Sequence, residues 1–186
     1  MSLAEQQRLL ARLYTDPEIR RQLDEDPAAL AAGLGVEGAT AENLTAVADE
    51  IDEFAQALHR KRFGSIRKAL PATSKALGKR FREAFIEHAE VFIPSGTDKI
   101  RRDILAFERF LDERLTGEDV WIRELLRWEA AWVRANDPRF RFRMLFFRSA
   151  EAAQARGAPE SWRPEVIVWW RLPGKRLRYR ALRWFF

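Results

Sequence analysis

Few side chains in this sequence can carry out catalytic or metal chemistry. The chain has no cysteine and only two histidines, His59 and His88. Thiol nucleophiles, disulfides and thiolate-bound zinc or iron–sulfur clusters are therefore excluded. The histidines form no H-x-x-x-H or H-x-x-E group, and no serine lies in a G-x-S-x-G turn. We expect no catalytic residue, metal ligand or cofactor in this chain, and we expect His88 to be a buried structural residue.

The distribution of arginine and tryptophan along the chain indicates instead a surface that binds a partner. The net charge is +5 with a pI of about 9.9, but residues 119–186 carry +8 and residues 1–118 carry −3. All seven tryptophans lie in the same last third of the chain. These two changes in composition predict a boundary near Gly117, with domains at 1–117 and 118–186.

Two segments alternate arginine with apolar residues. Residues 139–147 and 176–184 have the two-residue period of strands, and each begins with three arginines at alternate positions, 139, 141 and 143 in the first and 176, 178 and 180 in the second. Such rows of charge are able to bind an acidic peptide or phosphates. They are also typical of a sheet face that is simply exposed to solvent. Trp169 and Trp170 must point to opposite faces of their strand. We expect Trp169 to be an exposed contact residue, since large exposed aromatics mark interaction surfaces.

The elements that position these residues change type along the chain. Asp16-Pro17 and Asp26-Pro27 each pair an N-cap acceptor with a proline suited to the first helical turn. Apolar residues then recur at helical spacing after Thr40, Pro71 and Pro94. The pattern predicts five or six helices in the first domain.

The second domain is predicted to open with a helix whose tryptophans share one face and then to continue as strands. A strand over 140–147 is followed by a hairpin of 166–172 and 176–184 around Pro173-Gly174, a turn dipeptide. The predicted fold class is α+β, with an N-terminal all-helical lobe. A small C-terminal lobe follows, in which a three-stranded antiparallel sheet packs on a Trp-rich helix.

The order of motifs resembles the partner subunits of multinuclear non-haem iron oxidative enzymes, a family that includes the methanobactin partner subunit. The resemblance covers roughly residues 5–135. The motifs are Leu13–Arg20 (LYTDPEIR), Asp26-Pro27, Leu34–Val36 (LGV), Arg60–Arg62 (RKR), Leu70-Pro71, Leu77–Phe81 (LGKRF), Phe85, Pro94, Phe107–Leu111 (FERFL) and Leu125–Trp132 (LLRWEAAW).

The resemblance implies that this chain is an accessory subunit and not the catalyst. In that family a separate enzyme of TIM-barrel fold holds the iron and oxidises a residue of a ribosomally made precursor peptide. The partner forms a heterodimer with the enzyme and helps to hold the leader of the precursor. Iron is therefore expected in the other polypeptide.

The C-terminal residues cannot be matched to the family one by one, so the sites are predicted from physical character. A leader can add a strand to an open sheet edge. The predicted peptide-binding residues are Arg141, Arg143, Trp169, Arg171, Arg178 and Tyr179. The predicted enzyme interface, chosen for its surplus apolar area, comprises Trp121, Trp128, Trp132, Trp184, Phe185 and Phe186.

The main alternative is a nucleic-acid-binding regulator that stacks bases on the basic, aromatic sheet. No predicted helix has the dense basic face of a groove-reading helix, which disfavours nucleic acid as the partner. The N-terminal sequence lacks the features of a signal peptide. The apolar run Val166–Trp170 is far shorter than the roughly 20 residues that span a bilayer. We expect a cytoplasmic protein without membrane contact.

Overall fold

The computed structural model of the protein describes residues 3–33, 46, 48–148 and 164–183. Within these ranges eight helices precede three strands. The helices are α1 (Leu3–Thr15), α2 (Pro17–Glu25), α3 (Pro27–Gly33), α4 (Ala48–Ala69), α5 (Pro71–Leu77), α6 (Lys79–Val91), α7 (Lys99–Asp112) and α8 (Val120–Ala135). The strands are β1 (Phe142–Phe147), β2 (Glu165–Trp170) and β3 (Arg178–Arg183).

The chain divides into two compact units. One comprises residues 1–62 with 89–93, and the other comprises residues 63–88 with 94–186. Compactness does not show which part of a chain folds alone, so the domain boundary near Gly117 stays a prediction.

The two Asp-Pro pairs start helices as predicted. The Oδ1 atom of Asp16 accepts hydrogen bonds from the backbone N–H groups of Glu18 at 3.0 Å and Ile19 at 3.4 Å. The Oδ1 atom of Asp26 likewise accepts a hydrogen bond from the backbone N–H of Ala29 at 2.9 Å. Each aspartate satisfies donors of the first turn that have no partner within the helix. Helix α3 ends at Gly33, and residues 34–45, which include Thr40, lie outside the described residues.

The first unit has its own apolar core. Its buried members are Leu9, Leu13, Ile19, Leu23, Leu30, Ala31 and Ile51, with Tyr14 packed against them. Phe54 belongs to the predicted core stripe of α4, but its side chain is 48% exposed. Its ring lies over that of Tyr14, with centroids 4.4 Å apart.

The second unit buries the aromatic stripe of α6 against α7. Phe81, Phe85 and Phe107 are buried, and the rings of Phe81 and Phe107 meet edge to face at 5.1 Å. His88 is buried beside them, and its Nε2 lies 3.1 Å from Oδ1 of Asp103. The prediction that His88 is hydrogen-bonded on this face is confirmed, and its side chain is more deeply buried than the partial burial expected.

Helix α8 is fixed to the helical part by buried acids. The Glu129 carboxylate accepts hydrogen bonds from the N–H groups of Ala72 (2.8 Å) and Thr73 (3.0 Å) and from the Thr73 hydroxyl (2.7 Å). Burial raises the pKa of Glu129, and these hydrogen bonds act against that rise. Glu108 of α7 accepts from Arg134 of α8 at 2.7 Å. These contacts make α8 a rigid support for what packs on it.

The strands form one antiparallel sheet in the order β1-β2-β3. Gly174, in the turn between β2 and β3, has a φ of 69°, a left-handed conformation that suits glycine. One face of the sheet packs on α8 through Ala131, Ala135, Phe147, Ile167 and Trp169. The predicted fold class is therefore confirmed. Among the described helices, none has the length and apolar character needed to cross a membrane.

Candidate functional site

The register of the sheet divides its side chains between two faces. Residues directly opposite each other in an antiparallel pair point to the same side. The helix face, which packs towards α8, carries Arg143, Leu145, Phe147, Glu165, Ile167, Trp169, Tyr179 and Ala181. The other face, called the open face here, carries Phe142, Met144, Phe146, Val166, Val168, Trp170, Arg178, Arg180 and Leu182.

The helix face holds an aromatic cluster centred on Trp169. This side chain is 0% exposed, and its ring lies 5.4 Å from Trp128 and 6.2 Å from Trp132, centroid to centroid. The prediction that Trp169 is an exposed contact residue is therefore wrong. The register puts Trp169 on the face that α8 covers and leaves Trp170 on the open face. A fully buried ring has no surface left for a docked peptide.

The tryptophans of α8 have the same internal role. Trp128 and Trp132 pack against the sheet, and the ring of Tyr179 on β3 lies 5.0 Å from that of Trp132. Much of their predicted surplus apolar area is thus covered within this unit. Trp121 is half-buried at the start of α8. Trp184, Phe185 and Phe186 lie outside the described residues, so their predicted role is untested.

Strand β1 alternates as predicted, but its apolar residues face solvent. Phe142, Met144 and Phe146 are 64%, 60% and 53% exposed, whereas Arg143 is half-buried on the helix face. Of the expected row of arginines, Arg143 is half-buried, whereas Arg139 and Arg141 precede the strand and are exposed. The apolar residues Phe147, Ile167 and Trp169 occupy the covered face, and Arg143 shares their side of the sheet.

Two predicted peptide-binding arginines instead have backbone partners in the loop between α8 and β1. Arg171 donates hydrogen bonds to the carbonyl oxygens of Asp137 and Ala135, each at 3.1 Å. Those carbonyls lie at the C-terminal end of α8, where a cation is favoured. Arg141 donates to the carbonyls of Pro138 and Phe140, each at 3.0 Å. Both guanidinium groups therefore help to order this loop.

Arg143 has no such partner. Its guanidinium forms no hydrogen bond or ion pair with the described residues, and its Nε atom is buried. Burial is the main cause that lowers the pKa of Arg143; the nearby cations Arg134 and Arg127 add to it, and the Glu108 carboxylate acts against it. Glu108 pairs with Arg134, and Arg127 pairs with Glu124 at 3.1 Å. Arg143 is therefore a half-buried cation without an ion-pair partner of its own, which is costly.

Arg143 lies on a strand whose outer edge is open in the described part of the chain. The N–H of Arg171 donates to the Arg141 carbonyl at 2.8 Å. By the alternation of an antiparallel ladder, the backbone groups of Phe142, Met144 and Phe146 then point away from β2. Arg127 donates to the Phe146 carbonyl at 3.2 Å and so occupies one end of this edge. Among the described residues, nothing pairs with the outward backbone groups of Phe142 and Met144, which leaves these groups for strand addition.

The other two predicted residues lie on the opposite edge strand. Arg178 is exposed on the open face, and Tyr179 is 53% exposed on the helix face. Of the six predicted peptide-binding residues, Trp169 lies in the core, and Arg141 and Arg171 bind backbone carbonyls. Arg143 lies on the edge strand β1, and Arg178 and Tyr179 lie on β3. Phe142, Met144 and Phe146 were not among the predicted site residues, although their alternation with arginine was visible in the sequence.

No group of three or more histidine, aspartate or glutamate side chains suited to a metal ion occurs within residues 3–33, 46, 48–148 and 164–183. No serine was expected to belong to an S-x-x-K pair, and that expectation is wrong for Ser65, which has this spacing to Lys68. Both lie within the long helix α4, with Lys68 exposed.

The fold and site define an α+β protein with a helix-backed antiparallel sheet that has an open face and an open edge. Residues 47–113, which span α4 to α7, match a family described as SCO6045-like, C-terminal domain. The sheet lies outside the matched residues. No curated protein and no solved structure matches this chain.

Proposed function

We propose that this chain is a non-catalytic partner subunit of an iron-dependent peptide-modifying oxidative enzyme. In this proposal it forms a heterodimer with that enzyme in the cytoplasm and holds the leader of a precursor peptide. The helical motifs that resemble such partners support the proposal, and several of them lie in α4 to α7. The observation that carries it is Arg143, an unpaired half-buried cation beside the open edge of β1.

The leader would bind as a fourth strand. Its backbone would pair with the outward groups of Phe142 and Met144, since an open edge is a template for strand addition. Its side chains would then alternate between the two faces. Those on the helix face would lie beside Arg143, where a carboxylate completes the missing ion pair. Those on the open face would lie beside Phe142 and Met144, where apolar residues fit. The preferred leader therefore alternates acidic and apolar residues.

A binding experiment with matched peptides tests this site. Two labelled peptides of about ten residues, alternating valine with either glutamate or lysine, are titrated with the purified chain. We expect the glutamate peptide to bind at least about tenfold more tightly, and Arg143→Glu to remove or reverse that preference. Arg82→Glu, at an exposed arginine of α6, is the control and should leave the preference unchanged. Identical behaviour of the two variants would remove Arg143 from the proposal.

One observation favours nucleic-acid binding as the second candidate. On the open face the exposed Phe142 and the half-buried Trp170 lie in one row with Arg178, an arrangement that could stack bases and contact phosphates. Salt discriminates the two functions, because phosphate binding releases counterions and weakens steeply with salt. The titration is therefore repeated with a single-stranded oligonucleotide over a range of salt concentrations. Tight oligonucleotide binding that falls steeply with salt, together with weak peptide binding, would favour the second candidate.

A further inference from the structure

We infer that the open face of the sheet is the docking surface for an amphipathic helix of the partner enzyme, with the acidic flank of that helix lying over β3. The inference rests on the proposed function for the identity of the partner. It concerns a surface other than the β1 edge at which the leader is proposed to bind.

The open face is apolar over most of its extent. Seven of its nine residues are apolar, and β1 and β3 expose Phe142, Met144, Phe146 and Leu182, the last by 45%. The half-buried Val166, Val168 and Trp170 of β2 connect the two outer strands into one patch. A contiguous apolar patch of this kind marks an interaction surface. The helix face of the same sheet already shows how such a surface is covered, since α8 packs across it.

The dimensions of the open face fit one helix. Strands in a sheet lie about 4.8 Å apart, so the three side-chain columns span a width of about 10 Å, close to the diameter of an α-helix. Strands of six residues are about 20 Å long, which matches a helix of three to four turns. An extended peptide would instead use the backbone of an edge and leave most of this face uncovered.

The charges on the open face specify the character of that helix. Arg178 and Arg180 lie on β3, and neither has an ion-pair partner among the described residues. None of the nine open-face residues is acidic. A helix with an apolar face and carboxylates on one flank would cover the patch and neutralise both arginines. A second copy of this chain would bring no acidic side chain from its own open face, so it would leave the arginines without a counter-charge.

Two variants on β3 test the docking surface at a distance from the β1 edge. The iron-dependent enzyme that the proposed function names as the partner is purified with the full chain, and the affinity of the complex is measured. We expect Leu182→Asp and Arg180→Glu each to weaken the complex at least about tenfold, because both act where the helix is held. Ile100→Asp, at a 56% exposed position of α7, is the matched control and should not weaken it. Because Arg180 is exposed, Arg180→Glu should fold normally and still tests the surface if Leu182→Asp misfolds.

A photo-crosslinker at position 182 identifies the occupant. Crosslinks to a helix of the enzyme subunit are expected, and changing an acidic residue on that helix to lysine should restore binding of Arg180→Glu. Crosslinks to a second copy of this chain or to the precursor peptide would overturn the inference. Binding of the chain alone to phosphatidylserine vesicles that Leu182→Asp abolishes would also overturn it.

The two proposals fail in distinguishable ways. A complex that tolerates both β3 substitutions would overturn the docking surface alone, and the valine–glutamate peptide would still test the β1 edge. Absence of any complex with the unsubstituted chain would overturn the proposed function and the docking surface with it.

Discussion

Arg143 shows most clearly how one residue of this protein departs from what stability alone would favour. It is half-buried on the helix face near Arg127, Arg134 and Glu108, and Glu108 forms its ion pair with Arg134 and not with Arg143. Removing a cation from water without pairing it costs free energy. A residue with that cost is better explained by a ligand that supplies the counter-charge than by packing.

Replacing Arg143 with an apolar side chain should therefore raise stability while removing selectivity. We predict that Arg143→Met increases the free energy of unfolding in urea by about 0.5–1 kcal/mol and abolishes the preference for the glutamate peptide. Arg82→Met should change stability by less than about 0.5 kcal/mol, as is usual for an exposed site. If Arg143→Met destabilised the chain, the description of Arg143 as an unpaired cation would be wrong.

Trp169 and Trp170 are neighbours with opposite roles. Trp169 is fully buried between the sheet and α8, whereas Trp170 is half-buried on the open face. We predict that Trp169→Ala lowers the free energy of unfolding by about 3–5 kcal/mol, because it leaves a cavity in the aromatic cluster. Trp170→Ala should cost clearly less. Urea unfolding followed by circular dichroism measures both, and equal losses would contradict the assignment of faces.

At the scale of elements, α8 determines the geometry of the sheet because it is fixed at several points. The turn before it is one of them, since Asp119 forms a two-pronged ion pair with Arg80 of α6 at 2.7 and 3.0 Å. Asp119 also accepts a hydrogen bond from the N–H of Thr116 at 3.1 Å. These contacts set where α8 begins and therefore where its tryptophans meet the strands.

The Asp119–Arg80 pair predicts a defined response to acid. The hydrogen bond from Arg80 is the main cause that lowers the pKa of Asp119, to about 2, from an unfolded value of about 3.9. The folded state thus favours the charged form, so this contribution to stability is present above about pH 4 and is lost as the pH falls towards 2.

We predict that Asp119→Asn lowers the free energy of unfolding by about 1–2 kcal/mol at pH 7 and flattens its pH dependence between 4 and 2. Denaturation at a series of pH values measures this. The control is Glu118→Gln at the exposed neighbouring position, which should keep the wild-type slope. An unchanged slope in Asp119→Asn would assign the acid sensitivity to other carboxylates.

At the scale of the whole molecule, the pI overstates the positive charge available to a partner. Part of the excess arginine in residues 119–186 is used internally: Arg127 and Arg134 pair with acids, and Arg141 and Arg171 bind backbone carbonyls. The cations on the described strands without a partner are Arg143, Arg178 and Arg180, and further exposed cations precede or follow the strands. Because phosphate-backbone binding scales with the number of such contacts, its salt dependence is the measurement that separates it from recognition of specific carboxylates.

Local features of this protein followed from sequence because local chemistry decides them. Asp16 and Asp26 begin helices because each places a short side-chain acceptor directly before a proline. Pro173-Gly174 forms a tight turn because proline fixes its own φ and glycine accepts a positive φ. The alternation of residues 139–147 likewise required that Arg143 and Phe142 point to opposite sides. The fold class could be predicted from these signals together with the helical stripes.

Tertiary packing alone decided which side of the sheet is covered. A two-residue period places neighbouring side chains on opposite faces of a strand, but it does not indicate which face is covered. The contact with α8 breaks that symmetry: it buries Trp169, leaves Arg143 on the covered side, and exposes Phe142 and Met144. Arg143 thereby lies on the covered side and the apolar row of β1 at the surface, because the free energy of burying the aromatic cluster belongs to the assembled layers and not to any single strand.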